Sequence, residues 1–277
     1  MTATFPTDAT SCAQDDADLA LAIRAAQDAG ALLMQHWENR DRLQVRSKRA
    51  GDFVSRADTE AEACLRDILL TARRGDGWLG EETGAAPADR RRWIVDPLDG
   101  TTNFLRGIGH WAVSVALEVD GMRRIGVVHD PLKRETFAAR IAGGASLNGR
   151  PLQVAATSSL TGALFGTGIP FGGMDHIDAH AADIARLMPH CAGVRRMGAA
   201  SLDLAYVAAG RLDGFWERVL QPWDIAAGLV LLAEAGATVT ALDPADRPEQ
   251  SGTVLAACPG VFDSFAAILR DQPGSRA

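Results

Sequence analysis

The sequence predicts a mixed α/β protein, and three observations carry that prediction. Apolar residues recur at three- and four-residue steps early in the chain. β-Branched runs separated by Asp-Gly fill its middle. Short strands alternate with helices after about residue 150. The 277 residues suit one large domain or two small ones sharing a core.

In order along the chain, residues 1–17 are small and polar and read as a flexible leader. Leu19, Ile23, Ala26, Gly30, Leu33 and Trp37 then predict a helix over 18–37. A second helix starts near Asp58, with Leu65, Ile68, Leu69 and Ala72 on its apolar side. Residues 45–57 between them are mixed and basic and read as a mobile loop, with Lys48 four residues before Asp52. Trp93-Ile94-Val95 is a short buried strand. The runs 111–119 and 125–128 flank Asp120-Gly121, a hairpin signal because both turn positions need positive φ. Phe137-Ala138-Ala139, followed by Gly143-Gly144 and Asn148-Gly149, predicts a further hairpin. Residues 18–150 therefore read as helices on an antiparallel sheet. In 151–277 strands at 163–167, 193–197, 214–216, 238–240 and 254–257 alternate with helices at 178–188, 200–209, 224–235 and 261–270, a layered α/β pattern.

Composition narrows the function. Hydrophobic residues at 47% and charged residues at 23% exclude a disordered, collagen-like or disulfide mini-scaffold class. The 28 Lys+Arg against 35 Asp+Glu leave a net charge of −7, a poor footprint for nucleic acid, so a bound polyanion would need metal ions beside it. No apolar run approaches the ~20 residues that cross a bilayer. Residues 1–18 lack the basic and apolar regions of a secretory signal. Cys12, Cys64, Cys191 and Cys258 form no CxxC, which points to reduced thiols and a cytoplasmic setting without a membrane.

Three acidic segments carry the chemistry: Gly80-Glu81-Glu82-Thr83-Gly84, then Asp96-Pro97-Leu98-Asp99-Gly100-Thr101-Thr102-Asn103-Phe104, then Pro222-Trp223-Asp224-Ile225-Ala226-Ala227-Gly228. Each puts a carboxylate where a strand ends or a helix begins, the usual place for α/β sites. Asp96 closes a strand that Pro97 stops, and Asp99 follows past a turn. Both acids, with the Leu98 carbonyl between them, make an oxygen set suited to Mg²⁺. Gly100, Thr101 and Thr102 follow at a helix start, where free N–H groups hold phosphate. For a single such Asp, Asp99 or Asp224, a helix cap outweighs a ligand by about four to one. Glu81-Glu82 alone is solvated surface more often than a site, and spacing does not bring the three segments together.

In this order the three segments resemble the inositol monophosphatase family of magnesium-dependent phosphatases, over about residues 18–269. The resemblance implies a layered α-β-α-β-α sandwich of the sugar-phosphatase type, with an antiparallel first sheet, a mixed second sheet and metals between the halves. It implies that Glu81, Asp96 and the Leu98 carbonyl hold one Mg²⁺, that Asp96, Asp99 and Asp224 hold a second, and that Glu81 supports a weaker third. Gly100 and Thr101 then offer backbone N–H groups to phosphate. Asp58 pairs with Thr101 to orient the attacking water, and it is also placed to cap the second helix. The resemblance further implies that Glu217 accepts hydrogen bonds from the leaving alcohol and that Gly198, Ala199 and Ala200 line its pocket. On sequence alone a surface strand end is an equal reading of Glu217.

Asp58, Glu81, Asp96, Asp99 and Asp224 sum to −5, and a phosphate monoester adds −2, so the site needs two or three Mg²⁺ to admit its substrate. The expected route is in-line attack by water without a phosphoenzyme. Residues 195–206, Thr102-Asn103 and Trp223-Asp224 look like the bacterial inositol-1-monophosphatase branch. Inositol 1-phosphate is the expected substrate, with lithium sensitivity and a homodimer implied by the family. Histidinol phosphate or another metabolite ester is the alternative within enzymes. A regulatory role on the same fold, binding protein or the RNA machinery, is the alternative of another class. His176 and His180, at i and i+4, suit an exposed helix start about ten times better than a metal site.

Overall fold

The acidic residues assigned above to a leader anchor a helix. In the computed structural model, which describes residues 9–40, 45–49, 52–87, 90–169 and 176–271, helix α1 (Ala9–Glu38) begins nine residues earlier than its apolar period predicts. Asp15 and Asp16 pair with Arg124 and Arg140, and Asp18 is fully buried against Arg73 at 2.6 Å and Arg91 at 2.8 Å. The first eight residues lie outside the described ones.

The basic stretch expected as a loop contributes two antiparallel strands, β1 (Val45–Arg49) and β2 (Asp52–Ser55). The side chains of Lys48 and Asp52 lie outside the described residues. Helix α2 (Arg56–Ala72) follows and buries Leu65 and Leu69, while Ala72 at its end is exposed.

The next elements are β3 (Gly77–Gly80), β4 (Gly84–Ala86), β5 (Arg91–Asp99), α3 (Thr101–Arg106), β6 (Ala112–Val119), β7 (Met122–Asp130), β8 (Glu135–Arg140), β9 (Gly144–Leu147) and β10 (Arg150–Pro151). Their eight strands form one sheet in the order β10-β9-β8-β7-β6-β5-β3-β4. The β6–β7 turn has φ of 51° at Asp120 and 75° at Gly121, as Asp-Gly predicts. The expectation of a wholly antiparallel sheet needs one correction: β3 runs parallel to β5, with Gly80 opposite Val95. Parallel pairing brings the ends of both strands, and with them Glu81 and Asp96, to the same edge.

The second half contains β11 (Leu164–Thr167), α4 (Ile177–Leu187), β12 (Gly193–Arg195), α5 (Ala200–Ala208), β13 (Gly214–Glu217), α6 (Pro222–Ala235), β14 (Thr238–Thr240), α7 (Pro248–Ser251), β15 (Val254–Ala257) and α8 (Pro259–Arg270). Its sheet has the order β12-β11-β13-β15-β14. The first three strands are parallel, and β15 and β14 are antiparallel to their neighbours.

The layers are α1 and α2, the first sheet, α5 and α6, the second sheet, then α4 and α8. Side-chain alternation along the strands produces them. On β5, Trp93 and Val95 pack with Leu33 of α1 and Leu65 of α2, while Ile94 packs with Leu204 and Val230 of the middle helices. On β13, Phe215 faces the middle layer and Trp216 faces Phe265 of α8. The middle helices touch a sheet on each side, which is why they are apolar almost all round. Among the described residues no helix is long and apolar enough to cross a membrane.

Candidate active site

The site grows from the end of β5. Asp96 pairs across with Ser114 and Asp99 with Ala112, so β5 carries one extra residue in a β-bulge. The strand therefore does not stop at Pro97. Pro97 sits in the bulge, where a missing N–H costs no ladder bond. Inside the bulge Asp96 Oδ1 accepts the Leu98 N–H at 2.9 Å. Gly100 then turns the chain into α3 with a φ of 90°, and a Cβ there would stand 3.0 Å from the His110 carbonyl. Thr101 Oγ1 lies 3.0 Å from both Asp58 Oδ1 and the Leu98 carbonyl.

The other acids reach this point from four elements. Asp58, fully buried, accepts the Ser55 N–H at 2.8 Å and the Ser55 hydroxyl at 2.6 Å in the capping box of α2, so it caps the helix while its other oxygen meets Thr101. Glu81 follows β3, and its N–H donates to the Val95 carbonyl. The turn carrying it is held by buried Glu62, which accepts the N–H groups of Glu82 at 2.7 Å and Thr83 at 2.9 Å. Asp99 is not the cap of α3, a place that Gly100 takes. It reaches instead to α5, accepting the Ser201 N–H at 2.7 Å and hydroxyl at 2.6 Å. Asp224 caps α6 by accepting the Gln221 N–H at 2.7 Å.

Burial pushes Asp58, Asp96, Asp99 and Asp224 upward, and neighbouring acids add to it at Asp96 and Asp224. Asp96 is raised well above the usual carboxylate range by burial and then by Glu81, Asp99 and Asp224. Asp224 is raised likewise by burial and then chiefly by Asp99. Burial raises Asp99 against the opposing Ser201 bonds, and Asp58 against those of Ser55 and Thr101. Among the described residues Asp58, Asp96, Asp99 and Asp224 form no ion pair with Lys or Arg. Buried like charges of this kind must bind protons or a cation. The donors are all oxygens, which fits a hard divalent ion. As they stand, no three of the described His, Cys, Asp or Glu side chains close into a chelate.

Glu217 ends β13 and is buried, which corrects the reading of a surface strand end. Its carboxyl is raised well above the usual range by burial and then by Asp224, Asp203 and Asp99, with Arg196 opposing. It therefore shares a field with the acids above. Gly198, with a φ of 86°, and the buried Ala199 and Ala200 lead into α5. They are tied to α3 by Asn103 Nδ2, which donates to the carbonyls of Met197 at 2.7 Å and His110 at 2.8 Å.

Sequence reading missed the supports: Ser55, Glu62, Asn103, Ser201 and the buried pair His110–Asp203, whose Nε2 and Oδ1 are 2.9 Å apart. Burial pushes His110 down to about 4 and Asp203 well up. Glu62 and Asp203 did leave a signal, a charged residue on an otherwise apolar helix face. His176 is exposed whereas His180 is buried and stacked on Trp216, so the two do not share a ligand site.

The chain matches the model of the family described as "Inositol monophosphatase family" over residues 15–273. It is 46% identical over 235 residues to the inositol-1-monophosphatase of Rhizobium meliloti strain 1021, covering 84% of this chain and 88% of that one. It is 43% identical over 257 residues to Nus factor SuhB of Pseudomonas aeruginosa, covering 91% and 94%. The crystal structure of extragenic suppressor protein SuhB from Bartonella henselae superposes with a TM-score of 0.89 at 38% identity, covering 92% of this chain and 99% of that one.

Proposed function

The chain belongs to the inositol monophosphatase family, a family of phosphatases, and on that premise we propose that it hydrolyses small polyol phosphates, inositol 1-phosphate first among them, with Mg²⁺ as cofactor. The observation that carries this reading is the group of mutually repelling acids at the end of β5, of which Asp96, Asp99 and Asp224 form no ion pair with Lys or Arg among the described residues. Glu81, Asp96, the Leu98 carbonyl, Asp99 and Asp224 would hold two or three ions. When bound, Mg²⁺ supplies positive charge for the ester and acidifies water. The chain's own groups position the reactants. Gly100 and Thr101 offer backbone N–H groups to the phosphate oxygens. Asp58 Oδ1 accepts a hydrogen bond from the Thr101 hydroxyl, so Thr101 Oγ1 turns its lone pairs toward the attacking water. Glu217 accepts hydrogen bonds from hydroxyls of the leaving alcohol, and Gly198, Ala199 and Ala200 leave room for its ring.

The test is phosphate release from D-myo-inositol 1-phosphate by the purified protein, with Mg²⁺ and with EDTA. Release that depends on Mg²⁺ and falls with Li⁺ supports the reading. No release by folded protein in Mg²⁺ overturns the inositol assignment and moves it to histidinol phosphate or another ester. We read the protein as a cytoplasmic homodimer, and a monomer mass by light scattering would remove the second half of that statement.

The likeness to a protein named Nus factor SuhB favours a second reading, a regulatory binding role in the transcription or RNA machinery. A pull-down from host extract tests it. Partners retained by an Asp96→Asn variant would show binding independent of turnover, and a pull-down without such components would end that reading.

A further inference from the structure

Glu217 is held by its backbone and its neighbours. Among the described residues no group donates a hydrogen bond to its carboxylate. The carboxylate lies against Gly168, where a Cβ would come within 2.1 Å of both oxygens. Its two chain neighbours are anchored on the other face of the sheet. Side chains alternate along β13 and just past its end, so Trp216 and Arg218 face the outer helices while Glu217 faces the site. The Trp216 ring stacks on His180 with centroids 5.8 Å apart and an interplanar angle of 21°. Arg218 Nη1 donates to Asp183 Oδ2. His180 and Asp183 are one turn apart on α4, and Trp216 and Arg218 are same-face neighbours on the strand, so helix and strand meet at two matched points.

Asp183 is fully buried and Arg218 nearly so. Asp183 also accepts from Arg186 Nη2 at 2.5 Å, and Arg186 Nε donates on to the Ile268 carbonyl of α8 at 3.1 Å. One carboxylate thus joins the end of β13 to both outer helices. Beyond Arg218 the chain is strained: Val219, a β-branched residue, has a φ of 62°. The Leu220 N–H is pinned to the Gly252 carbonyl at 2.8 Å, and Gln221 caps onto Asp224. Such strain persists where surroundings over-determine the backbone. A buried ion pair adds little net stability over apolar residues of the same size, but it fixes geometry when its network is satisfied.

We propose that Arg218, through its buried pair with Asp183, is a positioning residue for substrate specificity: it sets the backbone from which Glu217 meets the hydroxyls of the leaving polyol. The inference rests on the reading of Glu217 given under the proposed function. The test compares inositol 1-phosphate with p-nitrophenyl phosphate, which has no hydroxyls to recognise, in the Mg²⁺-loaded full chain. Arg218→Met combined with Asp183→Leu removes the pair and keeps apolar packing. It should raise KM for inositol 1-phosphate about tenfold with kcat within about twofold, and leave both constants for the aryl ester within about twofold. Arg218→Lys keeps the charge without the planar fork and should raise that KM by about threefold. Adding Glu217→Gln to the double variant should cost no further discrimination. Equal losses on both substrates, or a full Glu217→Gln effect in the double variant, overturns the proposal. If the double variant does not fold, an unchanged KM in Arg218→Lys overturns it alone. Glu217→Gln in the native background separates the two readings. If discrimination there is unchanged, the Glu217 reading fails and the positioning role falls with it. If discrimination drops there but not in the Arg218 variants, only the positioning role falls.

Discussion

The stretch from Asp96 to Thr101 and the stretch from Glu217 to Asp224 supply acids to one site, and they are held in different ways. The first lies at the end of a central strand, and its own backbone organises it: Asp96 is bonded to Leu98, and Thr101 lies against the Leu98 carbonyl, all within a bulge and one turn. The second crosses from a strand to a helix through a strained residue, and distant groups hold it, Asp183 at Arg218 and Gly252 at Leu220. Bonds within a few residues shape the bulge around Asp96 and Leu98, whereas the turn that follows Glu217 hangs from the outer layer and from Gly252.

The largest effects should come from removing the charge of one acid in either stretch, Asp96 in the first or Asp224 in the second. Asp96→Asn or Asp224→Asn should lower kcat/KM by about 10²-fold or more at saturating Mg²⁺, with circular dichroism unchanged. Near-normal turnover in both would dismantle the metal assignment. Next comes the seam between the stretches, where His110 Nε2 and Asp203 Oδ1 form a buried hydrogen bond at 2.9 Å. Asp203→Asn leaves a buried imidazole whose unfolded form takes a proton near 6.5, while the folded form resists down to about 4. The unfolded state then binds more protons, so stability should fall as pH drops below about 6.5, with a slope approaching 1.4 kcal/mol per pH unit. In the native protein Asp203, raised by burial, offsets this. Urea melts at pH 7, 6 and 5 measure the difference, and parallel curves for both proteins would refute the offset between His110 and Asp203.

Smaller effects sharpen the second stretch. Glu217→Gln should weaken use of inositol 1-phosphate about tenfold more than that of an aryl phosphate, read as a ratio of kcat/KM values. Equal losses would remove Glu217 from alcohol recognition. Val219→Asn places a residue that tolerates left-handed backbone where a β-branched one is strained, and should add about 1 kcal/mol of stability in thermal melts. A loss of stability there would mean that the Val219 side chain contributes more than its backbone costs.

The same contrast decides what the sequence makes legible. Bonds closing within a few residues leave local patterns, so the Asp-Gly hairpin, the end of the helix at residue 235 and the acids from Asp96 to Asp99 could be read directly. The family resemblance supplied the meeting of the three segments and the five layers, which no periodicity contains. What stayed hidden was held at long range. Ser201 lies on Asp99 from 102 residues away, and Arg218 finds Asp183 at a separation of 35. The parallel pairing of β3 and β5 left no hairpin to mark it. The start of α1 was misread because its acids looked solvated, whereas Arg124 and Arg140 fix them on the sheet.

The shared middle layer has a consequence for how the protein is made. All eight strands of the first sheet have been synthesised by Pro151, yet the helices that cover one of its faces end only at Ala208 and Ala235. At about 5–20 residues per second, the ribosome leaves that apolar face bare for on the order of ten seconds. The nascent sheet is a natural client for a chaperone at the exit tunnel, and a chain truncated near residue 150 should aggregate rather than behave as a smaller version of the whole.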